Sequence, residues 1–126
     1  MINNSTSVQS PTFGAYRCAE PKAFREALNN LSTKQRDALA KQIIKAKQKL
    51  EQTKYADAVT YVREGNIVHR CEIRNPRMNA DGTITTGPLA IGCDFPSLKA
   101  VMKQTLQWEK NAQKEAKSLQ EFEYLI

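Results

Sequence analysis

A chain of 126 residues carrying a net charge of +6 is long enough to bury one core and too short for two independent domains. Hydrophobic residues make up 40% and charged residues 25%, an ordinary globular balance, and no apolar run approaches the roughly 18 residues that a membrane span needs. Three cysteines, Cys18, Cys71 and Cys93, cannot all pair within the chain and match no disulfide framework, so reduced thiols and a cytoplasmic setting are expected.

Residues 1–14 are rich in Ser, Asn, Thr and Pro and carry no charged side chain, which reads as an N-terminal arm ahead of a single α+β domain over 15–126. The segment has no basic region followed by an apolar one, so a Sec-type signal peptide is not expected. In its uncharged, Ser/Asn-rich character it resembles the leaders of type III secretion substrates, which implies an exported protein.

Glu20 to Leu31 reads as a short helix with Pro21 in its first turn and Phe24, Ala27, Leu28 and Leu31 on one face. Ser32 to Thr53 carries the clearest helical period in the chain: Leu39, Ile43, Ala46 and Leu50 on one stripe, Lys34, Lys41 and Lys45 on the other. Ser32 with Gln35 three residues on is a capping box, which fixes the start. The two helices are expected to form a hairpin, with Phe24 and Leu28 against Leu39 and Ile43. Between Leu31 and Tyr55 seven Lys or Arg face only Asp37 and Glu51, so this stretch holds most of the excess positive charge.

After Thr53 the period changes to two. Tyr55–Arg63 and Asn66–Arg74 flank Glu64-Gly65, a hairpin signal, with Ile67, His69, Cys71 and Ile73 on the inner face. Asn75–Gly82 reads as a loop. Thr83–Gly92 reads as a third strand interrupted at Gly87-Pro88, bulged or at an edge because proline cannot donate to a ladder. Asp94 or Ser97 then caps a long helix whose Leu98, Val101, Met102 and Leu106 should pack on the sheet, while Lys110–Ser118 projects. The expected fold is therefore α-α-β-β-β-α: a helical hairpin, a three-stranded antiparallel meander and a long C-terminal helix packed on it. From Ser32 to Leu119 this order is similar to that of double-stranded-RNA-binding domains. The chain lacks their paired lysines, having Lys99 and Lys103 in that region, and its Gly-Pro stands in the third strand, so no residue role is carried over.

Cys18, His69, Cys71 and Cys93 make up a tetrahedral ligand set by count. His-x-Cys is not a zinc knuckle, however, and no metal or cofactor is expected. With one histidine, no nucleophile motif and no phosphate-binding loop, an enzyme is not expected either. The functional expectation is a small basic non-enzymatic binding protein. Lys34, Lys41, Lys45, Lys49, Arg70 and Arg74 would contact nucleic acid or an acidic protein partner. The alternative is a protein–protein interaction factor, an exported effector or an inhibitor of a host enzyme. It would act through the arm and the apolar C-terminus, where Leu119, Phe122, Tyr124, Leu125 and Ile126 would form an interface for a partner or for a homodimer through the C-terminal helix. No membrane association is expected.

Overall fold

The computed structural model describes residues 16–126; the arm expected over 1–14 lies outside them. In chain order the elements are β1 (Tyr16–Cys18), α1 (Pro21–Leu28), α2 (Thr33–Lys49), β2 (Ala56–Arg63), β3 (Asn66–Met78), β4 (Ile84–Phe95) and α3 (Leu98–Leu125). The class is α+β, with three helices and one mixed sheet, in the order β1-β2-β3-β4, among the described residues.

The expected three-stranded meander gains a fourth strand. β1 pairs in parallel with β2, Tyr16 opposite Ala58 and Cys18 opposite Thr60, and the Ala19 N–H adds a bond to the Thr60 carbonyl at 2.9 Å. Three residues offer too short a run for a period of two to be seen. What makes them a strand is the neighbour they find across a crossover of two helices. That crossover also alters the expected helical hairpin: α1 lies mainly against β2 and β3, whereas α2 lies against α3 and β1.

Where local signals were strong, the structure follows them. The Ser32 hydroxyl accepts from the Gln35 N–H at 3.1 Å while the Gln35 side chain accepts from the Ser32 N–H at 2.9 Å. Ser97 caps α3, accepting from the Ala100 N–H at 3.1 Å. Glu64 and Gly65 take φ of 52° and 80°, the left-handed pair that a two-residue hairpin loop demands, and set Arg63 opposite Asn66. The second hairpin is longer than its sequence suggested. β3 runs on through Pro76 to Met78, and the turn shrinks to 79–83, where Gly82 has φ of 89° and Asp81 accepts from the Thr83 N–H at 3.0 Å. Pro76 follows two register shifts of the ladder, between Ile73 and Arg74 and between Arg74 and Pro76, and such an irregularity is where a strand tolerates proline.

Both long helices cover one face of the sheet. Leu50, Ala46, Ala58, Cys71, Leu98, Val101 and Met102 form one buried cluster with Tyr16; Tyr55, Ala56, Ile73 and Ala112 form a second, and Trp108 packs against both. Leu106, expected inside, is 42% exposed. The inward place is taken by Glu109, a buried carboxylate among apolar neighbours. Its Oε1 accepts the N–H groups of Lys54, Tyr55 and Ala56 at 2.9, 2.7 and 3.0 Å, and its Oε2 accepts from Gln113 at 2.5 Å. Three successive backbone donors at the entry to β2 are thereby satisfied by one side chain of α3. The end of α3 does not stand clear of the body: Glu123 lies so close to Gly82 that a Cβ there would meet its carboxylate at 2.7 Å.

Replacing Glu109 by alanine orphans those three donors, so Glu109→Ala is expected to cost about 3 kcal/mol in urea denaturation. Glu109→Gln, which keeps an acceptor oxygen, is expected to cost clearly less.

Candidate nucleic-acid interface

On α2, Lys34, Lys41, Lys45 and Lys49 are all exposed and fall within roughly 80° of arc at ~100° per residue, flanking the Ala46–Leu50 stripe that packs inward. Lys45 and Lys49 meet a second basic row where α2 crosses α3. Together with Lys99 and Lys103 they line a groove of about 270 Å³ whose other walls are Met102 and Leu106. No carboxylate lines it. Along α3 the row continues: Lys99, Lys103, Lys110, Lys114 and Lys117 are exposed and share roughly 60° of arc at ~100° per residue. None of these nine lysines enters an ion pair among the described residues.

The other two expected contacts are elsewhere. Arg70 and Arg74 alternate with Cys71 and Ile73 on β3 and so stand on the sheet face away from the helices. There they belong to a ladder of alternating charge. Arg17 reaches both Asp57 and Glu72, the latter at 3.0 Å; Arg74 lies 3.5 Å from Asp57; Arg70 lies 3.2 Å from Glu72 and 3.6 Å from Asp94; Arg63 donates to Asp94 at 2.7 Å. Tyr61 also donates to Asp94 at 2.7 Å, and this bond, with Arg63 beside it, holds the Asp94 carboxyl below its usual range. Burial pushes the Asp57 carboxyl up, and Arg17 and Arg74 offset part of that. These guanidiniums are answered by carboxylates, whereas the helix lysines face water.

Residue counting hid the α3 row. Five Lys against four Glu after Asp94 looks neutral, but Glu109 is buried, Glu115 faces the side of Ile73 and Ile91, and Glu123 sits at Gly82, which leaves Glu121 as the one acid within the lysine arc of α3. The spacing of the lysines, i, i+4, i+11, i+15 and i+18, was the available signal. The C-terminal residues Phe122, Tyr124, Leu125 and Ile126 are exposed by 59, 91, 77 and 93%, with Leu119 half-buried.

Cys71 and Cys93 face each other across β3 and β4, and Cys18 and His69 flank Thr60 across β1, β2 and β3. Among the described residues no group of three or more His, Cys, Asp or Glu is placed to hold a metal ion. Burial pushes the Cys71 thiol up to about 11, leaving almost no thiolate at neutral pH. No helix among the described residues is long and apolar enough to cross a membrane. No protein-family model, curated protein or solved structure matches this chain.

Burial holds the His69 imidazole below its ordinary value of 6.5, with Nδ1 3.0 Å from the Thr60 hydroxyl. The unfolded chain therefore binds a proton in a range where the folded one does not. Stability should fall as pH drops through about 6.5, by at most about 1.4 kcal/mol per pH unit from this group. Urea midpoints measured above and below that pH should show the contribution disappearing in His69→Gln.

Proposed function

We propose that this chain is a small non-enzymatic binding protein that holds a nucleic-acid backbone on the lysine face of α2 and α3. The observation that supports this reading is the groove in which Lys45, Lys49, Lys99 and Lys103 converge with no carboxylate among its lining residues. Four ammonium groups held around one groove repel each other at close range, and a polyanion relieves that repulsion while releasing its own condensed counterions. The face carries lysines, compact point charges suited to phosphate, and α3 contains no arginine to fork onto a base edge. Binding should therefore be insensitive to sequence. Lys34 and Lys41 extend the contact along α2, and Lys110, Lys114 and Lys117 along α3. Arg70 and Arg74, already engaged with carboxylates, contribute little.

The expected result is an association constant that falls steeply with salt, with a log–log slope of about −0.9 per phosphate contact on duplex DNA. Lys99→Ala with Lys103→Ala should flatten the slope by about 2, and Arg70→Ala should leave it unchanged. A flat salt response of the unaltered chain would remove nucleic acid as the ligand.

A second reading rests on a different observation, the exposure of Phe122, Tyr124, Leu125 and Ile126 at the end of α3. As a self-association surface it predicts a mass that rises with concentration in sedimentation, and loss of that rise in Phe122→Ser with Leu125→Ser. A chain monomeric at every concentration would remove it.

A further inference from the structure

Away from the lysine face, α3 and the β3–β4 hairpin enclose a cleft of about 180 Å³. Ile73, Ile91 and the Trp108 ring give it apolar walls, and Asn75, Asn111 and Glu115 stand around it. Glu115 occupies a place in the helical repeat where an apolar residue would continue the inward stripe. Among the described residues its carboxylate has no hydrogen bond or ion pair. An unpaired carboxylate beside an indole and two isoleucines is complementary to an alkyl stem ending in a cation.

The cleft opens beside an unfinished edge. β4 is the last strand of the sheet, so one side of its backbone has no strand partner among the described residues. Its sequence from Ile84 to Phe95 includes only one charged residue, Asp94, and no lysine to deter pairing. Leu89 and Ile91 on this strand are 46% and 53% exposed. Added strands lie about 4.8 Å from their neighbour and place alternate side chains on each face. A residue set opposite Ile91 would thus stand at the mouth of the cleft, within a lysine's length of Glu115.

We infer that the cleft receives the basic side chain of an extended peptide that pairs with β4 around Ile91, from Leu89 to Cys93. A second copy of this chain fits less well: β4 paired with another β4 brings no Lys or Arg, and Glu115 would stay unanswered. This site is separate from the lysine groove and does not depend on what that groove holds.

Trp108 is the only tryptophan and lines the cleft, so its fluorescence reports on a ligand entering there. The probes are capped pentapeptides of alternating threonine and valine with lysine, norleucine or glutamate at the centre. The lysine peptide should shift Trp108 emission saturably, bind at least fivefold tighter than the norleucine peptide and slow amide exchange within Leu89–Cys93. In Glu115→Gln the norleucine peptide should bind as before and the preference for lysine should vanish, a comparison that also shows the variant is folded. The inference is overturned if no peptide moves the emission, or if Glu115→Gln keeps the preference. It is equally overturned if n-butylamine matches the lysine peptide at equal concentration, or if the peptide-free chain dimerises through β4 with the same exchange protection.

Discussion

One carboxylate fixes the relation between the long helix and the sheet. Glu109 is placed among Trp108 and Ala112 on the inward stripe of α3, where its charge would be costly in apolar surroundings without partners. The partners are the backbone N–H groups of Lys54, Tyr55 and Ala56, the point at which the chain leaves α2 and enters β2. A hydrophobic contact could let α3 slide along the sheet, since burial of apolar area has little direction. Three hydrogen bonds converging on one oxygen set its position along the axis, and with it the position of Lys99 and Lys103 against Lys45 and Lys49.

The sheet and helix faces handle charge in opposite ways. On the uncovered sheet face Asp57 stands directly across from Glu72, two like charges that would repel each other alone. Arg17, Arg70 and Arg74 reach them, so that face is a mutually neutralising surface with Asp57 almost fully buried within it. On α3 Glu109 is turned inward and Glu115 and Glu123 lie on other arcs, so that only Glu121, near the helix end, shares the lysine arc, and the lysines are left to water. The segregation turns a modest net charge into a concentrated one, and concentration is what a polyanion responds to.

Much of the framework was legible because its signals are local. The capping box at Ser32 and the hairpin loop at Glu64-Gly65 act within four residues and stand where the sequence put them, and of the two caps it offered for the last helix, Asp94 and Ser97, the structure uses Ser97 while Asp94 stays in β4. What escaped was non-local. β1 exists because of β2, some 40 residues on, and three residues carry no period. Glu109 carries no local signal of its role, since nothing in its neighbourhood announces backbone donors 53 to 55 residues away. Arg70 and Arg74 were correctly assigned to the outer face by alternation. Their acidic partners could also have been read from the hairpin register, which sets Asp57 opposite Glu72 once Glu64-Gly65 is the loop.

The parallel pairing of β1 with β2 bears on the order in which the chain assembles. β2–β3 and β3–β4 close over short loops and can form early, whereas β1 must wait until two helices have been laid down between it and its partner. Three register pairs, the Ala19 N–H bond, the buried Tyr16 ring and the Arg17 side chain hold it, fewer ties than any other strand has, so β1 is expected to join last and detach first. Fraying at that margin would uncover Asp57 and undo the charge balance of the sheet face, while the two helices and the hairpins beneath them stayed closed.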